Sequence, residues 1–258
     1  MSLIFDSHSH YDNSRFDEDR EEFLSSLPSK GVGLILSAGS CMKSSRINSE
    51  LSKNFPFVFA SAGIHPIDCI KETEPYLDEL RAMFKDNKKL VAVGEIGLDY
   101  HYDTSPKDMQ KKFLCEQLKL AQELSKPVII HSREATADML SILKEHKPKG
   151  VVHCFSGSVE TAREILDLGM YIGFTGVVTF SNAQKAKTSA AYVPLDRLLI
   201  ETDCPYMAPV PYRGQRCDSS MLYSVADTLA GIKGVSRDEI LDATFKNAVK
   251  VFEMEALL

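Results

Sequence analysis

Eight short runs rich in Val, Ile, Leu, Phe and Ala recur along this chain, and amphipathic stretches separate them. The runs span residues 3–6, 33–37, 58–62, 90–94, 127–130, 151–152, 170–174 and 198–200. Most are continuously apolar, as expected of parallel strands covered on both faces. Helical spacing appears over 17–27, 76–84, 107–124, 135–144, 159–168 and 182–191, and two further helices are expected at 222–232 and 238–252. Strand and helix alternating with short connections imply a parallel sheet with right-handed crossovers. Eight such units in 258 residues match the size of a (β/α)8 TIM barrel. A doubly wound open sheet is the alternative, but neither GxGxxG nor GxxxxGK[ST] is present. With no linker or internal repeat, the expectation is one α/β domain over 1–258, its outer ring closed by helices within 222–252.

Bulk properties narrow the setting more than the chemistry. No apolar run approaches the ~18 residues of a membrane span, and no signal-like segment opens the chain. The six cysteines form no CxxC pair, so reduced thiols in a cytoplasmic protein are the natural reading. A net charge of −6 argues against coating nucleic acid through a general basic surface. It leaves room for an enzyme that handles phosphates locally. No obligate protein partner is evident.

The ends of the apolar runs carry the chemistry. The first ends in Asp6-Ser7-His8-Ser9-His10, and an extended strand would turn Asp6, His8 and His10 to one side. The fourth leads into Glu95 and Asp99, the fifth into His131, the sixth into His153, and the eighth into Glu201-Thr202-Asp203. In a barrel these ends converge on one mouth. A lone histidine at a strand end is more often a hydrogen-bonded structural residue, but several at matching ends point to a metal site. The donors are nitrogen and oxygen, which suits Zn, Mn, Co, Ni, Fe or Mg. Six ligands exceed the needs of one tetrahedral ion. Two divalent ions roughly 3.5–4 Å apart would use them all, with Glu95 as the best bridge. Cys154 and Cys204 adjoin ligands, so alternation should turn them away from the ions. No GxSxG elbow or HExxH helix is present.

Five motifs, Asp6-Ser7-His8-Ser9-His10, Gly63-Ile64-His65-Pro66, the run from Gly94 to Tyr100, the run from His153 to Gly157, and Glu201-Thr202-Asp203-Cys204-Pro205, occur in this order. Together they resemble the TatD-type metal-dependent deoxyribonucleases, a branch of the amidohydrolase-like barrels, from Phe5 to about Phe252. The resemblance implies hydrolysis of DNA phosphodiester bonds, often exonucleolytic, with divalent ions such as Mg, Mn or Zn. By motif, His8, His10, Glu95 and Asp203 would hold one ion, and Glu95, His131 and His153 the other. Asp203 would also orient the attacking water or take its proton, making Asp203 and Glu95 the catalytic candidates.

Substrate candidates lie in the loops. Tyr212, Arg213 and Arg216 follow the last strand, and arginine forks match phosphate oxygens while tyrosine stacks on bases. A solvated basic loop is the plainer reading. The family commonly has Arg-Gly-Lys here and then an Asn-Glu-Pro-like stretch, whereas this chain has Gln215 and Cys217-Asp218-Ser219. That departure bears on substrate preference, not on the metal site. His65 is expected to touch substrate phosphate or a metal-bound water, or to be structural. Arg133 binds phosphate or pairs with a carboxylate. Asp6, Asp99 and Glu201 are expected behind the ligands, as partners that orient them. The expected substrate is DNA, single-stranded or otherwise, with RNA as a further option. A metal-dependent amide or ester hydrolase of small molecules and a non-catalytic metal-stabilised binding protein are the competing readings.

Overall fold

A computed structural model describes residues 2–72, 75–102 and 106–258. Eight parallel strands form one sheet in sequential order: β1 (Ile4–Ser9), β2 (Val32–Ser37), β3 (Val58–Ala62), β4 (Leu90–Asp99), β5 (Val128–Arg133), β6 (Gly150–Val152), β7 (Tyr171–Phe174) and β8 (Leu198–Ile200). Between them run α1 (Arg20–Ser26), α2 (Met42–Asn54), α3 (Tyr76–Asp86), α4 (Lys107–Leu124), α5 (Thr136–His146), α6 (Val159–Asp167) and α7 (Gln184–Tyr192). Two helices, α8 (Leu222–Lys233) and α9 (Arg237–Val251), follow the last strand. This is the (β/α)8 barrel that the alternation implies.

Two apolar layers hold it. The larger packs outward-facing strand residues such as Ile35, Val58, Ile130 and Ile172 against helix residues such as Leu80, Leu114 and Leu143. The smaller takes side chains from every strand, among them Phe5, Phe59, Val91, Ile129, Val151 and Leu199, and so fills the barrel interior. Phe252 and Met254, just beyond α9, belong to the same layer and stopper it, with the Phe252 and Phe5 rings 6.4 Å apart.

β4 runs to Asp99, well past the expected end at Gly94, paired with β5 through Asp99 and Arg133. Gly97 permits this, because a Cβ there would lie 1.9 Å from the His131 carbonyl oxygen. α2 has no counterpart among the amphipathic stretches seen in the sequence. Its buried face is Ser44, Ser45, Asn48, Ser49 and Ser52 with only Met42 and Leu51 as apolar members, so it carries no hydrophobic stripe. Hydrogen bonds take the place of that stripe. Asn48 Nδ2 donates to Ala38 O at 3.0 Å and to Asp12 Oδ1 at 3.1 Å, and Asn87 Nδ2 donates to Ser49 O at 3.1 Å. The C-terminal helices appear where expected, and Ser236 caps α9 in a reciprocal box with Glu239.

The barrel closes without a continuous ladder. Each strand from β1 to β8 pairs with the next, while β8 meets β1 through single bonds. Asp203 N–H donates to His8 O at 2.9 Å and His10 N–H to Cys204 O at 2.8 Å. Ser7 Oγ donates to Ile200 O at 3.0 Å, and Asp6 accepts from Thr202 N at 2.9 Å and Thr202 Oγ1 at 2.6 Å. These bonds set the first and last strand ends side by side.

Candidate metal centre

Strand alternation explains how the interior changes from apolar to ionisable. His131 follows Ile129 by two positions, His153 follows Val151, and Glu201 follows Leu199, so each continues the inward face of its strand. β1 behaves differently. Its register against β2 shifts between Asp6 and Ser9, so the simple extended reading fails there. His8 and His10 turn to the centre, whereas Asp6 turns to Thr202 and to Ser219 Oγ at 2.7 Å. Burial lifts the Asp6 carboxyl to about 6 despite these hydrogen bonds.

Glu95 lies at the middle, almost fully buried, and its two oxygens divide the imidazoles. Oε2 faces His8 Nε2 at 3.3 Å and His10 Nε2 at 3.4 Å. Oε1 faces His153 Nε2 at 2.8 Å, His131 Nδ1 at 2.9 Å and His65 Nε2 at 3.4 Å. Asp203, held by a left-handed backbone (φ 57°), brings Oδ1 to 3.4 Å from His10 Nε2 and 3.7 Å from His8 Nε2. The structure therefore brings together all six residues expected as ligands.

The donors fit a cation. His8 Nε2 and His10 Nε2 lie 3.1 Å apart, and His131 Nδ1 and His153 Nε2 3.2 Å apart. Where both rings of a pair are neutral with their protons on the outer nitrogens, their inward lone pairs repel, and a shared positive ion resolves this. Outer partners fix which nitrogen faces inward. With His10 Nδ1–H donating to Ala38 O at 3.0 Å, the His10 Nε2 lone pair points inward. His131 Nε2 lies 3.1 Å from Asp99 Oδ2, which frees Nδ1 in the same way. Among the described residues, three groups bring nitrogen and oxygen atoms near enough to share an ion: His8, His10 and Glu95; His8, His153 and Asp203; and His65, Glu95 and His131, the last only if His65 gives up the proton on Nε2.

Burial and charge pull these groups in opposite directions. Burial lowers His8 to about 4, with the neighbouring His153 reinforcing it and Glu95 opposing. His131 also loses to burial, but Asp99 and Glu95 together outweigh that and lift it to about 9. Glu95 is pushed up by burial, yet the ring of imidazoles holds it well below the usual carboxylate range. Glu201 rises to about 7, chiefly through burial.

His65 is closer to the centre than a substrate contact needs to be, but its tautomer separates it from the ligands. Its Nδ1 accepts the Ile67 N–H at 3.2 Å, so the neutral ring carries its proton on Nε2, toward Glu95. Glu201 stands 3.6 Å from His153 Nδ1 and accepts instead from Cys154 N–H and from Ser7 Oγ at 3.2 Å.

A cavity of about 490 Å³ contains the cluster, and Arg133, Tyr206 and Met207 also line it. Arg133 lies with its guanidinium 5.0 Å from the Tyr102 ring centre. The other three substrate candidates do not line this cavity. Arg216 is gripped by Asp19 at 2.6 and 2.7 Å and lies over Phe16 and Phe23. Arg213 lies over Phe180 at 4.2 Å, and Tyr212 is exposed. Cys154, expected to face away, lines the cavity, because β6 stops at Val152 and Cys154 takes a left-handed conformation (φ 46°) that breaks alternation. Cys204, also expected to turn away from the ions, is buried and does not line the cavity. Tyr206 and Met207 escaped sequence reasoning, although an aromatic directly after Cys204-Pro205 was a usable signal.

A family model described as TatD related DNase matches residues 5–253. The chain belongs to the TatD family. Among curated relatives of this TatD-family chain, YabD of Bacillus subtilis (strain 168), named an uncharacterized metal-dependent hydrolase, is 40% identical over 98% of this chain and 100% of its own length. A Cronobacter sakazakii protein named 3'-5' ssDNA/RNA exonuclease TatD is 31% identical over 96% of this chain and 97% of its own. The solved structure of YjjV, a TatD homologue from Escherichia coli K12, superposes with a TM-score of 0.92 at 34% identity, covering 97% of this chain and 98% of that one. These likenesses place the chain among the metal-dependent hydrolases of the TatD family. Among the described residues, no helix is long and apolar enough to cross a membrane.

Proposed function

We propose that this TatD-family chain hydrolyses phosphodiester bonds of DNA, acting exonucleolytically on single strands with two divalent ions. The observation that carries the reading is the division of imidazoles between the two oxygens of Glu95, the pattern a bridging carboxylate needs. His8, His10, Glu95 and Asp203 would hold one ion, and Glu95, His131 and His153 the other. Such ions supply Lewis-acid charge and acidify water toward neutral pH.

The remaining roles belong to side chains. Asp203 lines the central cavity and would take the proton of the attacking water. His65, with its proton on Nε2, donates to an oxygen rather than ligating. Arg133 sits at the cavity edge, where its guanidinium would meet a nonbridging phosphate oxygen. Asp99 holds His131 in its ligating tautomer. The name of the Cronobacter sakazakii relative supports the choice of nucleic acid over an amide or ester, which the same centre would also hydrolyse.

End-labelled single-stranded DNA incubated with the protein and Mg²⁺, Mn²⁺ or Zn²⁺ tests this. Stepwise release of nucleotides is expected, and Asp203→Asn should reduce it about 100-fold or more, the lower end of the range for general acid–base groups. Robust turnover of an amide or lactone panel with intact DNA would overturn the reading.

A further inference from the structure

Beside the metal centre a second cavity of about 380 Å³ opens between α5 and α6. It shares Ser132, Arg133, His153 and Ser156 with the central cavity, so the two adjoin at the ends of β5 and β6. Their walls differ in chemistry. The side cavity is floored by buried apolar side chains, Met139, Leu143, Val152, Phe155 and Ile165. Thr136 and Thr161 bring hydroxyls to the same wall, and the exposed Arg133 and Lys185 stand at its edge. Its acidic residue, Glu134, is taken by His101 Nδ1 at 2.7 Å.

We infer that this side cavity is a subsite for one nucleobase of the substrate strand, on a nucleotide flanking the scissile phosphate. The inference rests on the phosphodiesterase reading above. A base is flat, apolar on its faces and polar at its edges, which matches an apolar floor with hydroxyls beside it. Small-ligand pockets run from roughly 300 to 1,000 Å³, so this one is large enough for a single base. The two cations at its edge meet the phosphates that a strand necessarily brings with its bases. Phe155 offers an aromatic surface, held in a T-shaped contact with Phe174 at 6.3 Å. Gly157 leaves room for that ring, since a Cβ there would lie 2.6 Å from Phe155 Cζ.

The test uses the whole protein with Mn²⁺ and a single-stranded hexanucleotide whose bases are replaced one at a time by an abasic tetrahydrofuran unit. One position near the cleaved bond should show a tenfold or greater fall in kcat/KM when its base is lost. Cleavage within twofold at every position overturns the subsite and leaves phosphodiester hydrolysis standing. Failure to cleave any oligonucleotide counts against the phosphodiesterase reading instead, and binding then decides the subsite. The chain contains no tryptophan, so Leu140→Trp places a sole indole in this cavity. A thymidine tetranucleotide should quench its fluorescence in metal-free buffer, and an abasic backbone of the same length should not. Equal quenching by both, or none, overturns the subsite. Should Leu140→Trp fail to fold, Thr136→Trp on the exposed edge carries the same measurement.

Discussion

Gly173 on β7 lacks a side chain because Glu201 occupies the space. A Cβ there would sit 2.3 Å from Glu201 Oε2, whose carboxylate is buried and bonded to Ser7 and to the Cys154 amide. Gly173→Ala should therefore destabilise the fold by about 1–3 kcal/mol, the usual cost of overpacking. A urea midpoint unchanged from wild type would show that the Glu201 carboxylate can move aside. The gathering of the candidate ligands was legible in the sequence, since His131, His153 and Glu95 directly follow apolar runs that read as strands. Residue-level partners were not. Arg216 reads as a free cation, but Asp19 reaches it from 197 positions away. Such a pairing has no local signature.

At the scale of elements, periodicity served wherever a helix buries an apolar stripe and failed at α2. That helix packs on the strands through serines and Asn48, which also accepts from Ser37 Oγ at 2.7 Å. Polar residues at buried helical positions imitate the pattern of a loop, so nothing in hydrophobic spacing marks them. Asn48→Ala strips partners from Ser37, Ala38 and Asp12 at once. A loss of roughly 1–3 kcal/mol for each buried group left unpaired is expected, read from the equilibrium denaturation curve. A loss below about 0.5 kcal/mol, the size of an ordinary surface substitution, would mean that these bonds do not hold α2. The end of β4 was misjudged for a different reason. Glycine usually weakens a strand, yet Gly97 is what lets β4 continue beside β5.

For the whole molecule, the ligands come from β1, β4, β5, β6 and the segment after β8, so bound ions would link distant parts of the barrel. A ligand that binds only the native state stabilises it by about 4 kcal/mol at a thousandfold excess over its Kd. Removal of divalent ions by a chelator should lower the melting temperature, and Mn²⁺ or Zn²⁺ should restore it. An identical melting curve with and without chelator would argue that the cluster holds no ion. The barrel as a whole was legible, because strand and helix alternation is written along the entire chain. Its seam was not, since β8 and β1 meet through isolated backbone bonds just past the strand ends and through the side chains of Ser7, Asp6 and Thr202, not through a ladder.

That seam has a consequence during synthesis. His8 and His10 lie at the end of β1, and Asp203 follows β8, whose Ile200 carbonyl lies 193 positions beyond its partner Ser7. A nascent chain on the ribosome can pair β1 through β7 in order, but its ligand set stays open until the eighth strand emerges and docks against the first. Hydrolytic competence then arrives in one late step. Prematurely terminated products ending before residue 203 should show no metal-dependent hydrolysis, however much of the sheet they have built.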